Sequence, residues 1–339
     1  MTAEGGIDDD GRAAGDARDG GAAVPRARPR LVVSRCLELD ACRYNGALIR
    51  APLVGALAAH VELVPVCPEL EVGLGVPRDP IRLVRGAQGA RLVQPSTGRD
   101  LTDAMRVFGH AFLGSLADVD GFLLKSRSPS CGIDAVKVYA EDDGARPVDS
   151  APGMFAASVL ARFPHHPVEH EGRLTDAAVR DHWLTALFAM ASLRGAREGR
   201  SGETLAEVHA RHELVLMACE PAGRSALGRL VADAGVLPSG RLWEAYADGF
   251  RRVLARRPSR GTHIIALRHA ARCFEDRLGG AEGSFEELLD ACRRGRAPRE
   301  APLEAIRGWT RRFEDSWLAG QAYLAPYPRG LLDPTDPGR

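Results

Sequence analysis

Cys36, Cys67 and Cys131 are the residues of this chain best suited to chemistry, because each thiol lies just past a short apolar run: Arg30 to Val33, Val61 to Val66 and Gly121 to Lys125. If the runs are parallel strands, their carboxyl ends open on one crevice, where residues remote in sequence meet. Three thiolates converging there suit a metal or cluster with one coordination position left open. Groups fit for proton transfer stand beside them. In Cys67-Pro68-Glu69 the proline restricts the backbone next to the thiol and places a carboxylate within reach; Glu69 equally suits a helix cap at Pro68. Lys125-Ser126-Arg127-Ser128-Pro129-Ser130-Cys131-Gly132 combines hydroxyls, two cations and a glycine that lets backbone N–H groups approach an anionic cluster. Arg43-Tyr44-Asn45-Gly46 carries a turn signal beside an arginine able to hold an anion or a substrate carbonyl. The same stretch also reads as a surface turn with an ion-paired arginine.

Such a crevice needs a sheet to build it. Strand-like runs at Leu31 to Ser34, Val61 to Val66, Gly121 to Lys125 and Ala135 to Ala140 alternate with helical patterns at Leu53 to His60, Thr102 to Leu116 and Met154 to Arg162. That alternation predicts an α/β N-terminal domain with a mostly parallel sheet over residues 30–172. Ahead of it, residues 1–29 have almost no large apolar side chain and are expected to be a disordered tail. Thr175 or Asp176 caps a helix with Val179, Trp183, Leu184, Leu187 and Met190 on one face, a linker over 173–200. Strand signals then cease. Stripes such as Leu242, Tyr246, Phe250, Val253 and Leu254 predict an all-α C-terminal domain over 201–331, closed by Pro326 and Pro328, with 332–339 a tail.

Composition narrows the partners. Lys plus Arg and Asp plus Glu both number 45, so no overall basic field steers the chain onto nucleic acid, and no direct nucleic-acid binding is expected. No apolar run is long enough to span a bilayer and no secretory signal is visible, which points to a cytoplasmic protein with no membrane contact. In a reducing compartment the odd count of seven cysteines favours ligands, nucleophiles or buried thiols over disulfides. The oligomeric state is left open.

Three motifs carry a family resemblance: Ser34-x-Cys36-Leu37 with Arg43-Tyr44-Asn45-Gly46; Val64-Pro65-Val66-Cys67-Pro68-Glu69 with Pro77-Arg78; and Asp120-Gly121 running into Lys125 through Gly132. Together they resemble the thiouracil desulfidase family over about residues 31–172. The resemblance implies an α/β fold and a 4Fe-4S cluster bound by Cys36, Cys67 and Cys131, with no protein ligand on the fourth iron. It also implies a small thiolated substrate and non-redox desulfuration that releases hydrosulfide. On that chemistry Glu69 is the candidate general base, Ser128 or Lys125 relays a proton, and Arg43, Tyr44, Asn45 and Ser130 bind substrate. Residues from about Thr204 to Leu331 are similar to the YbgA-like helical family, through His209-x-x-His212 with Leu216-Met217-Ala218 and through Gln321-Ala322-Tyr323-Leu324-x-Pro326-Tyr327-Pro328. No function comes with that second likeness.

Departures from the desulfidase pattern qualify the reading. Glu38 stands where the family usually has a glycine after Cys-Leu, and Val72-Gly73 where Gly-Gly is common. Cys42 is an additional thiol close to Cys36. As a fourth ligand it would close the iron to substrate and make the chain an electron-transfer or structural protein; otherwise it simply packs. An iron-sulfur regulatory or binding protein, with the helical domain contacting a partner, is the other alternative. His165, His166 and His170 cluster at the end of the first domain. His209-x-x-His212-Glu213 lacks the residue order of zinc proteases and reads as core or interdomain hydrogen bonding. Cys219, Cys273 and Cys292 fall on helical stripes and read as packing residues.

Overall fold

A computed structural model describes residues 27–87, 89–140, 146–199, 203–233, 239–279 and 282–331. Most of the expected N-terminal tail, residues 200–202 of the interdomain stretch and all of 332–339 lie outside these. The first half runs β1 (Arg30–Ser34), α1 (Pro52–Ala58), β2 (Glu62–Val66), α2 (Pro68–Glu71), β3 (Arg82–Gly86), β4 (Gly89–Gln94), β5 (Arg99–Asp100), α3 (Thr102–Ser115), β6 (Gly121–Leu124), β7 (Val136–Tyr139), β8 (Pro147–Ala151), α4 (Met154–Arg162) and β9 (Val168–His170).

Four of these strands form a parallel sheet in the order β2-β1-β6-β9. Its two central strands, β1 and β6, are buried on both faces, as the inner strands of a parallel sheet are. Val32, Phe122 and Leu124 pack into one core with Met105 of α3 and Phe155 of α4. Leu31, Val33 and Leu123 point the other way, onto Val54 and Leu57 of α1. Register aligns Ser34 with Val66 and Val33 with Leu123, so β1, β2 and β6 end level.

The parallel sheet has four strands, as many as the pattern predicted, but β9 stands in place of the run Ala135 to Ala140. A second sheet, β5-β4-β3-β7-β8, is antiparallel except where β3 meets β7. The run Ala135 to Ala140 joins this sheet and not the parallel one. β3 and β4 went unrecognised because arginines interrupt them: Arg82-Leu83-Val84-Arg85 pairs with Ala90-Arg91-Leu92-Val93, leaving too few apolar residues in sequence for a buried strand pattern.

The second half is helical: α5 (Ala177–Arg197), α6 (Leu205–Arg211), α7 (Glu213–Cys219), α8 (Pro221–Ala232), α9 (Ser239–Leu254), α10 (Arg260–Ala271), α11 (Glu282–Arg293), α12 (Glu300–Arg312) and α13 (Ser316–Ala319). No helix among the described residues is long and apolar enough to cross a membrane. Of the two candidate caps, Asp176 begins α5, accepting the N–H groups of Ala178 at 2.8 Å and Val179 at 3.0 Å. α5 serves both domains. Val179, Trp183, Leu184 and Leu187 complete the α1 side of the parallel sheet, whereas Ala189, Met190 and Leu193 enter the helical core beside Leu242, Tyr246 and Phe250 of α9.

Two features fasten the halves. Arg194 of α5 donates from Nε and Nη2 to the carboxylate of Asp120 at 2.9–3.1 Å, and the two side chains are 5% and 1% exposed. Tyr327 and Leu331, which the sequence assigns to the helical domain, are buried in the α/β domain with Leu31 and Val33. The domain boundary is therefore crossed twice.

Candidate active site

Because β1, β2 and β6 end level, the residues that follow them share one edge. Cys67 follows β2 directly, Cys36 lies two residues past β1, and Cys131 closes the loop after β6. The thiols lie within electrostatic reach of one another. Burial, then the charge of Cys67, pushes the Cys36 thiol up to about 11, against the pull of Lys125 and Arg43. Burial pushes Cys131 well above the ordinary range; a hydrogen bond with Ser34 opposes this, while Glu69, Cys36 and Cys67 add to it. Cys42 joins the group. It is buried, Cys67 Sγ lies 4.0 Å from its carbonyl oxygen, and burial followed by Cys67 raises it to about 12. Such thiols keep their protons until a bound cationic centre replaces them, which is the behaviour of a buried metal-thiolate set. Thiols from three neighbouring strand ends are the donor type that an iron-sulfur cluster takes. Among the described residues, no three His, Cys, Asp or Glu side chains are placed to hold a single metal ion.

Glu69 occupies the first turn of α2 and has both oxygens engaged. Oε2 accepts Arg78 Nε at 3.1 Å and Nη2 at 2.5 Å; Oε1 accepts the hydroxyls of Ser130 at 3.2 Å and Ser128 at 3.4 Å. Arg78 also donates to the carbonyls of Cys42 at 3.1 Å and Gly75 at 2.9 Å. One guanidinium thus ties the Cys42 loop to the carboxylate next to Cys67. Ser128 Oγ accepts the N–H groups of Ser130 at 3.2 Å and Cys131 at 3.1 Å, which winds the loop around its own hydroxyl. Ser130 is fully buried on Glu69. Gly132 is required where it stands, since a Cβ there would lie 2.4 Å from Val136 Cγ2 and 2.9 Å from the Ser128 carbonyl.

Lys125 approaches the site from β6. Its N–H donates to Ser34 Oγ at 2.9 Å, and its Nζ donates to Glu171 at 2.5 Å and Ser126 Oγ at 2.8 Å. Burial works against a charge on Glu171, but hydrogen bonds from Lys125 and Ser126 outweigh it and hold the carboxyl below its usual range. On the other side, Gly46 N–H donates to Arg43 O at 2.9 Å to form the expected turn, and Arg78 N–H ties that turn in through Tyr44 O at 2.8 Å. Arg43 lies 5.4 Å over the ring of Tyr44, which is 40% exposed. The Asn45 side chain accepts the N–H of Ala47 at 3.2 Å.

The structure thus gathers Cys36, Cys67, Cys131, Glu69, Ser128, Ser130 and Lys125 around one edge, with Arg43 and Tyr44 at its rim. It also adds residues the sequence left without a role. Arg78 stood in a quoted motif, Ser34 preceded a cysteine, and Glu171 gave no signal because its partner lies 46 residues away. The histidines sit elsewhere: His209 Nδ1 pairs with Tyr246 OH at 3.0 Å and His212 Nδ1 with Val208 O at 2.8 Å, as hydrogen-bonded core residues. Cys219 and Cys292 are buried in the helical half, and Cys273 packs against its core.

Residues 31–171 match the family model described as 2-thiouracil desulfurase, and residues 213–328 match one described as a protein of unknown function, DUF1722. The class is an α/β domain similar to the 2-thiouracil desulfurase family model, fused to a helical domain. YbgA of Escherichia coli K12, an uncharacterised protein, is 30% identical over 155 residues, covering 44% of this chain and 90% of its own. The chain belongs to the YbgA family. YbbK of Bacillus subtilis 168, also uncharacterised, is 29% identical over 109 residues, covering 30% of this chain and 72% of its own. Among solved structures, the 4Fe-4S-dependent thiouracil desulfidase TudS is 27% identical with a TM-score of 0.33, covering 44% of this chain and 94% of that one.

Proposed function

We propose that the α/β domain removes sulfur from a small thiocarbonyl compound, such as a thiolated nucleobase, at a 4Fe-4S cluster held by Cys36, Cys67 and Cys131. The convergence of three thiols, Cys67 and Cys131 buried and Cys36 half-buried, from three parallel strand ends carries this reading. When bound, the cluster supplies a Lewis-acidic iron with affinity for soft sulfur. The thiocarbonyl C=S is exchanged for C=O from water, and sulfur leaves as hydrosulfide with release of a proton. No electron is transferred. Glu69 takes the proton of the attacking water, with Arg78 fixing its orientation and Ser128 or Ser130 offering a relay. Lys125, oriented by its ion pair with Glu171, donates towards the ring nitrogen of the substrate. Arg43 and Asn45 contribute polar contacts at the rim, and Tyr44 offers an exposed ring face to a planar substrate. The described cysteines are all free, which suits the reducing cytoplasm in which we place this chemistry.

Cys42 favours a second reading. Four thiols in one group could enclose a cluster and leave no open position, which would make the chain an electron-transfer or regulatory iron-sulfur protein. Anaerobically prepared protein separates the two. Under the first reading it contains iron and sulfide, converts 2-thiouracil to uracil and hydrosulfide without a reductant, and keeps that turnover in Cys42→Ser. Stoichiometric zinc in place of iron, or conversion that requires an electron donor, would overturn it.

A further inference from the structure

The two domains leave between them a cavity of about 430 Å³. It lies at the opposite end of the parallel sheet from the thiols. Asp120, on its lining, immediately precedes β6 and accepts the N–H of Arg30 at the start of β1 at 2.7 Å, whereas Cys36 and Cys131 follow the far ends of the same strands. Phe163 and His166 line it from the α/β domain, Met190 and Leu193 from α5, and Arg251 from α9.

Charge and hydrogen bonding are unbalanced there. The lining holds Arg162, Arg194, Arg197 and Arg251 against Asp118, Asp120 and Asp248. Arg194 is taken up by Asp120, Glu198 and the carbonyl of Arg28, Arg197 pairs with Asp118, and Arg251 pairs with Asp248. Arg162 has no carboxylate partner among the described residues; its guanidinium lies 5.9 Å from the ring of Phe163. Beside them His166 Nδ1 is buried without a hydrogen-bond partner among the described residues. Burial and then the charge of Arg251 push the His166 imidazole down to about 4, so at neutral pH it adds no charge and offers one donor and one acceptor.

From this arrangement we infer that the interdomain cavity binds a small organic anion, its charged group held by Arg162 and Arg251 and its apolar or aromatic body lying on Phe163, Met190 and Leu193. The volume falls within the usual range for ligand sites, about 300–1,000 Å³. With a small ring rotation, a donor on the same molecule would satisfy His166. Such a ligand would touch both domains at once. None of these residues takes part in the proposed desulfuration, so the inference stands or falls independently of that reading.

The test uses the full chain with 1-naphthyl phosphate as probe, and 1-naphthoate, 1-naphthol and inorganic phosphate as separate arms, followed by calorimetry and thermal melting. The phosphate ester or the carboxylate should bind saturably, raise the melting temperature, bind at least about tenfold tighter than naphthol and weaken with added salt. Which of the two binds tighter identifies the anionic group. Arg162 and Arg251 lie on helix surfaces, so an Arg162→Ala/Arg251→Ala chain should fold, with circular dichroism as the check, and lose about tenfold or more in affinity. Arg268→Ala, which breaks a surface pair with Glu286, should leave affinity unchanged. Absence of saturable binding by both anionic probes, equal affinity for naphthol, or undiminished affinity in the double variant would overturn the inference.

Discussion

At the scale of single residues, the site is held by partners that fix direction more than they supply reactivity. Arg78 makes a forked contact with Glu69 that a lysine cannot reproduce. Arg78→Lys should therefore retain iron and sulfide but lose about tenfold in kcat with KM little changed, because the carboxylate is misdirected and not removed. Loss of iron together with activity would instead assign Arg78 to the scaffold. Glu38 illustrates a different constraint. It adopts φ +64, the left-handed conformation that explains why a glycine is usual at this position, and its carboxylate accepts the N–H of Ala51. Glu38→Ala keeps the strained backbone without the bond and should cost about 1–2 kcal/mol in urea denaturation, whereas Glu38→Gly should stay within about 1 kcal/mol of the parent. Equal losses in the two variants would contradict this account. The cysteines and Glu69 could be singled out in sequence because each comes after a short, mostly apolar run. Glu171 was not, since only the folded chain brings β9 and its following turn beside Lys125.

Among the elements, α5 and the terminal segment join what sequence pattern separates. Helical spacing places Val179, Trp183, Leu184 and Leu187 of α5 on one buried face, but Met190, read onto the same face, joins Ala189 and Leu193 in a second core, and nothing in the spacing shows that Arg194 reaches Asp120. A charge pair between residues 74 apart leaves no local trace. Arg194→Met strands a buried carboxylate and should lower stability by about 3–5 kcal/mol. Adding Asp120→Asn should recover much of that loss in the urea midpoint, and no recovery would show that packing, not charge, is at stake. Leu331 is fully buried, and Leu331→Ala should cost about 2–4 kcal/mol. Because its neighbours include Leu31 and Leu57, the loss should appear as faster hydrogen exchange in β1 and α1, a long way from Leu331 in sequence.

For the whole molecule, acid is the condition most apt to loosen the interface. Burial, helped by Arg257, lowers His182 to about 4, and burial with Arg299 does the same for His263, although Asp181 pulls both upward. The folded values lie below the ordinary 6.5, so the folded state prefers these imidazoles neutral. Their contribution is complete above pH 6.5 and is lost as pH falls towards 4. The melting temperature should therefore fall steadily across that window, and His263→Gln should flatten the slope. A melting temperature independent of pH there would refute the assignment.

The packing of Tyr327 and Leu331 into the first domain also sets an order of events during synthesis. About 150 residues separate the end of the α/β domain from Tyr327, and a ribosome takes on the order of ten to thirty seconds to add them. Throughout that interval the nascent domain carries its cysteines on a sheet whose α1 side is still missing its last side chains. The period before the chain closes on itself is thus a natural window for assembling the proposed cluster, and synthesis of the helical half sets its length.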